Sequence, residues 1–175
     1  MIKILLPTLL VFLITTTLKC EDIFQVYDSK GKMQTIEDVS KGENLIIVFF
    51  SHYTCIKCNE DLNIVLDSLA KKYAIKVIIL SRLKNDFDIV DAYKLKSSIK
   101  KYYPNYDVFF DIHHSTDPWP PINLKGGLFY KYNITLTPSV LVINNKIKTY
   151  YDYNTLFNDD NTNKLSEIIE KGINK

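Results

Sequence analysis

Leu45-Ile46-Ile47-Val48-Phe49-Phe50-Ser51-His52-Tyr53-Thr54-Cys55-Ile56-Lys57-Cys58 joins six consecutive apolar residues to a pair of cysteines. The apolar run is too short for an ordinary helix and reads as a strand buried on both faces. Beyond it, Leu62, Val65, Leu66 and Leu69 recur at the i, i+3, i+4, i+7 spacing of an amphipathic helix. The cysteines therefore fall at a strand-to-helix junction. A thiol attacks a disulfide only as its thiolate. The first turn of a helix favours that anion through unpaired N–H groups and the positive end of the macrodipole, and Lys57 adds a nearby cation. Cys55 is expected to titrate below a free cysteine and to attack, while Cys58, one turn further on, resolves the mixed disulfide.

Two other uses of the pair are a structural staple and a metal site. As a structural staple it would be poor, because a bridge between residues three apart closes a very small loop and restricts the unfolded chain little. His52, Cys55 and Cys58 form an H-x-x-C-x-x-C series, but structural zinc wants four ligands and the sequence holds no second pair, so no metal is assigned. His52 and Lys57 are auxiliary candidates, His52 because an imidazole ordinarily titrates near neutrality.

Outward from this stretch, Phe24 to Tyr27 and Lys32 to Thr35 read as short strands joined through Asp28-Ser29-Lys30-Gly31, an N-terminal β-hairpin. On the other side, Val77 to Leu80 reads as a buried strand, Ile89 to Tyr102 as a helix, and Val108 to Phe110 as a further strand. The proline-rich stretch from His113 to Pro121 reads as a surface loop, and a short helical piece follows Gly126-Gly127. Ile134 to Ile143 supplies a late strand, which Asn144-Asn145 turns back onto Ile147 to Tyr151. Leu165, Ile168, Ile169 and Ile173 mark a closing helix, with Asn161 to Asn163 as its cap. Alternating strands and helices imply an α/β fold whose sheet is largely parallel, with helices on both faces and an antiparallel edge.

The first 20 residues have the plan of a signal peptide: Lys3, an uncharged stretch from Ile4 to Leu18, then Lys19 and Cys20. That stretch is shorter than the ~20 residues a membrane span needs, and it contains Pro7. Export with cleavage is the expectation, leaving one domain over residues 21–175; a retained anchor or lipidation at Cys20 is the alternative. Loss of Lys3 and Lys19 from 22 basic residues leaves a balance with 20 acidic ones. A neutral chain without clustered arginines offers no electrostatic footing for nucleic acid.

With these residues in place, the chain resembles the thioredoxin superfamily, in particular its periplasmic TlpA-like branch of thiol-disulfide oxidoreductases. The hairpin around Asp28 to Lys32, the strand Leu45 to Phe50 running into Cys55-Ile56-Lys57-Cys58, and Thr137-Pro138 opening the late strand carry the likeness. The resemblance implies a thioredoxin-like fold with a central mixed sheet. It also implies a cis peptide before Pro138 facing the cysteines, with the backbone of Thr137 pairing with a substrate strand. The long segment between Cys58 and Pro138 agrees with the extra helix and strand of that branch. Two departures matter. Phe49 stands where ordinary thioredoxin has a buried acid, and Ser51-His52-Tyr53-Thr54 replaces an approach that often contains tryptophan. Asp111 is a candidate proton acceptor, although a strand-end carboxylate would ordinarily be solvated.

The implied activity is thiol-disulfide exchange with exported proteins, without a cofactor, the partners being protein thiols or disulfides and an upstream redox donor. A copper-binding or copper-delivery module using the same cysteines is the alternative, although such relatives usually space the cysteines further apart. A peroxidase would need threonine three residues before the reactive cysteine, where this chain has His52. Neither Ile56 nor Lys57 sets the direction of electron flow, because about 30 mV corresponds to roughly 1.4 kcal/mol for this couple.

Overall fold

The structure, a computed structural model, describes residues 24–51, 54–84, 88–113, 127–145, 147–158 and 164–175. The expected leader, His52, the proline-rich loop beyond His113 and the cap at Asn161 to Asn163 lie outside the described residues. In chain order the elements are β1 (Gln25–Tyr27), β2 (Met33–Thr35), α1 (Ile36–Ser40), β3 (Leu45–Phe50), α2 (Ile56–Tyr73), β4 (Lys76–Lys84), α3 (Ile89–Ile99), β5 (Asp107–His113), α4 (Leu128–Lys131), β6 (Ser139–Asn144), β7 (Ile147–Tyr151), α5 (Tyr153–Phe157) and α6 (Leu165–Ile173).

Seven strands form one sheet in the order β2-β1-β5-β4-β3-β6-β7. Strand β3 pairs in parallel with β4, Leu45 opposite Lys76 and Phe50 opposite Ser81, and β4 pairs in parallel with β5. Helices α2 and α3 are the crossovers that parallel pairing requires. The remaining pairings are antiparallel, so the parallel part is confined to the three middle strands. Hairpins without an intervening helix close both edges, and that makes the sheet mixed rather than largely parallel.

All six residues of β3 are buried, as an uninterrupted apolar strand between two helical layers must be. Its alternation sorts the core into two clusters. Ile46, Val48 and Phe50 pack with Leu62, Leu66 and Leu69 of α2, Ala92, Leu95 and Ile99 of α3, and Leu165, Ile169 and Ile173 of α6. Leu45, Ile47 and Phe49 face Ile36 and Val39 of α1 and Leu128 and Phe129 of α4. Each fully buried aliphatic side chain contributes ~1.5–3 kcal/mol, so the strand that leads to the cysteines is among the most firmly held parts of the fold.

Several boundaries differ from those expected. Helix α1 is additional: Thr35 caps it, accepting from the Asp38 N–H at 3.0 Å while its own N–H donates to Asp38 Oδ2 at 3.2 Å. Strand β5 continues through His113, shortening the expected loop at its start. The β6–β7 turn opens at Asn145, not Asn144, because Asn144 pairs with Ile147 and Asn145 takes the left-handed φ of 53°. Helix α5 follows β7 directly, started by the Asp152 carboxylate accepting from the Thr155 N–H at 2.7 Å.

Candidate functional site

Cys55 is the N-cap of α2, in extended backbone conformation, and the N–H of Cys58 donates to its Sγ at 3.1 Å. The two sulfurs are bonded as a disulfide, with Cα atoms 5.2 Å apart. An 18-residue helix thus begins on a sulfur, where its orphan N–H groups and macrodipole favour negative charge. The pair is asymmetric: Cys55 is half-buried, whereas Cys58 is only 8 % exposed. The more accessible sulfur is therefore the one at the mouth of the helix. Lys57 points outward into an ion pair with Asp61 at 2.5 Å, which raises its pKa. Its charge is shared with Asp61, so the backbone, more than this lysine, supplies positive potential at Cys55.

The Thr137–Pro138 peptide is cis. Two hydroxyls tie this distant loop to the approach to Cys55: the Ser51 and Thr137 hydroxyls lie 2.7 Å apart, and the Thr54 hydroxyl donates to the Thr137 carbonyl at 3.1 Å. Thr54 in turn accepts from Asn59 Nδ2 at 2.8 Å, and the same amide donates to the Cys55 carbonyl at 2.7 Å. The carbonyl oxygen of Asn59 accepts from the Tyr103 hydroxyl at 2.7 Å. Asn59 and Tyr103 are both fully buried, and burial pushes the Tyr103 phenol well above its ordinary pKa, so it stays a neutral donor. A chain of hydrogen bonds therefore runs from the core through α2 to the loop beside the cysteines. Exposed Ile56 and Leu136, at 59 % and 51 %, are sequence neighbours of Cys55 and Thr137.

Asn59, Tyr103 and Tyr153 were not singled out by sequence reasoning. Asn59 had a detectable signal: it occupies the inward stripe that continues as Leu62, Leu66 and Leu69, where a polar residue needs buried partners. Tyr103 and Tyr153 carried none, since neither lies near the cysteines in sequence. The hydroxyl of Tyr153 stands 3.3 Å from Cys58 Sγ.

Asp111 corrects an expectation. It is not a solvated strand-end carboxylate but 3 % exposed, accepting from the Phe129 N–H at 2.9 Å at the start of α4. Burial pushes its pKa up to about 6, against the opposing pull of the Phe129 N–H and Arg82. Gly127, at φ 97°, makes room for it: a Cβ there would stand 2.2 Å from Asp111 Oδ1. Its hydrogen bonds go to α4, on the sheet face opposite α2. Phe49 fills the position of the missing acid with an apolar ring, 5.0 Å from that of Phe129.

No protein-family model matches the chain, and no curated protein sequence does. Solved structures share the fold, however. A thioredoxin-like protein from Porphyromonas gingivalis is 17% identical, with a TM-score of 0.56 over 86% of this chain and 87% of that one. A secreted Mycobacterium tuberculosis disulfide oxidoreductase, described as homologous to E. coli DsbE, is 15% identical, with a TM-score of 0.54 over 85% and 95%. Copper-bound ScoI from Arabidopsis thaliana is 12% identical, with a TM-score of 0.51 over 87% and 96%. At such identities the likeness establishes a thioredoxin-like fold.

Proposed function

We propose that this chain is an exported thiol-disulfide oxidoreductase in which Cys55 exchanges with substrate and Cys58 resolves. The observation that carries the reading is the built asymmetry of the pair: Cys55 accepts the Cys58 N–H at the mouth of α2, and Cys58 lies buried behind it. In the reducing direction, the Cys55 thiolate attacks one sulfur of a substrate disulfide and the other leaves as a thiolate. The Cys58 thiolate then attacks Cys55 Sγ, forming the Cys55–Cys58 bond and releasing the second substrate thiolate. Two electrons pass from the dithiol to the substrate, and in the oxidising direction the same steps run backward. Helix α2 lowers the energy of the attacking anion, and the spacing of the cysteines makes resolution intramolecular.

In this reading, Thr137 and Pro138 form the wall of the substrate groove beside Cys55, with exposed Ile56 and Leu136 offering apolar contact to a polypeptide. The expected substrates are exported proteins, the N-terminal 20 residues being the export signal. His52, three residues before Cys55 in the sequence, is the auxiliary candidate for proton transfer in this reading.

Cys58→Ser should trap a mixed disulfide with a substrate protein through Cys55, and Cys55→Ser should abolish exchange. Equal exchange by the wild-type protein and Cys55→Ser would overturn the assignment. The likeness to a copper-bound protein of this fold gives copper delivery through Cys55 and Cys58 as the competing reading. A stoichiometric Cu(I) complex without catalysed exchange would favour it.

A further inference from the structure

Resolution requires negative charge on Cys58 Sγ, as does the reverse step, in which Cys58 is the leaving group. Cys58 cannot draw this stabilisation from its own N–H, which is directed at Cys55 Sγ. It is also 8 % exposed, so water solvates it poorly. Phe49 brings no carboxylate to the interior, and Asp111 is hydrogen-bonded at α4.

Among the described residues, the side-chain hydroxyl against this sulfur is that of Tyr153, 3.3 Å away. A disulfide sulfur carries no hydrogen, so in this oxidised state Tyr153 is the donor. The ring is held independently of the cysteines: Asp152 caps α5, Leu156 is fully buried, and the Tyr153 ring lies 5.3 Å from that of Phe157. The donor is thus fixed before charge develops, the arrangement in which a hydrogen bond to an anion is worth most.

We infer that Tyr153 is a catalytic residue for the resolving half of the exchange, donating its hydroxyl hydrogen bond to the anionic Cys58 sulfur in both directions. The inference rests on the exchange chemistry proposed above. The Cys58 thiol gives its proton to solvent, the resulting thiolate attacks Cys55 Sγ under the Tyr153 hydrogen bond, and the departing substrate thiolate takes a proton from solvent. Tyr153 keeps its own proton throughout.

Tyr153→Phe retains the ring and removes the donor. With the purified reduced protein and oxidised glutathione as probe, quenched samples read by mass separate two phases: appearance of the Cys55–glutathione adduct, then its loss as Cys55–Cys58 forms. The first phase should be unchanged in Tyr153→Phe. The pH dependence of the second should move about one unit to higher pH, as loss of a hydrogen bond to an anion requires. Below its midpoint the second should slow about threefold, the roughly tenfold smaller thiolate fraction being partly offset by the greater nucleophilicity of a more basic thiolate. A second phase with unchanged rate and pH profile overturns the role of Tyr153 while leaving the exchange reading intact. Slowing of both phases together, with no shift in pH profile, makes Tyr153 structural and also overturns it. Absence of the first phase in the wild-type protein overturns both readings.

Discussion

Asn59 shows how one side chain couples the core to the cysteines. Its amide satisfies the Tyr103 hydroxyl on one side and Thr54 and the Cys55 carbonyl on the other, with no exposure to water. Asn59→Ala removes three bonds and leaves the Tyr103 hydroxyl buried without a partner. The expected loss is about 2–4 kcal/mol in urea unfolding. Tyr103→Phe introduced into Asn59→Ala should then cost less than Tyr103→Phe alone, because the orphaned hydroxyl is gone; strictly additive losses would show that the two do not act as a unit. Lys57, by contrast, is an exposed residue engaged with Asp61, and a surface ion pair of this kind adds little to stability.

At the scale of elements, α4 is four residues long and cannot hold itself together by helical hydrogen bonding. What anchors it is Asp111, whose carboxylate accepts the Phe129 N–H, together with Leu128 and Phe129 buried against β3. Arg82 reaches the following segment, donating to the Ile134 carbonyl at 3.1 Å, three residues before Thr137. Gly127→Ala would drive a methyl group into the Asp111 carboxylate and strain a positive φ. A loss of about 2 kcal/mol or more is expected, seen as a lower urea midpoint at unchanged slope. A loss below about 0.5 kcal/mol would mean that α4 shifts without consequence.

For the whole molecule, Asp111 makes stability depend on pH in a direction unusual for an aspartate. Its pKa is about 6 in the folded chain against an ordinary 3.8. Between those values the folded state keeps a proton that the unfolded state has released. Unfolding free energy therefore falls as pH rises through this window, by about 3 kcal/mol from this group at neutrality. Asp111→Asn should flatten that fall when urea unfolding of the oxidised protein is compared from about pH 4 to 7. Parallel curves for the variant and the wild-type protein would contradict the burial argument. The same two-faced core that buries Asp111 also places α2, α5 and α6 on one side of the sheet, which is how Tyr153 comes to stand beside Cys58.

The amino-acid sequence by itself determined the buried strand Leu45 to Phe50, the placing of Cys55 and Cys58 at the start of a helix, the N-terminal hairpin and the order of most elements. These follow from short-range periodicity and junction chemistry, which neighbouring residues specify. Helices α1 and α5 were not read because each has five residues, too few to display a period, although Thr35 and Asp152 carried their caps. Only the tertiary structure decided that Asn59 meets Tyr103 across 44 positions, that Thr54 reaches Thr137 across 83, and that Tyr153 meets Cys58 across 95. It likewise decided that Asp111 is buried. Such contacts depend on how helices and strands from remote parts of the chain pack on the two sides of one sheet, and no local pattern encodes a distance between them.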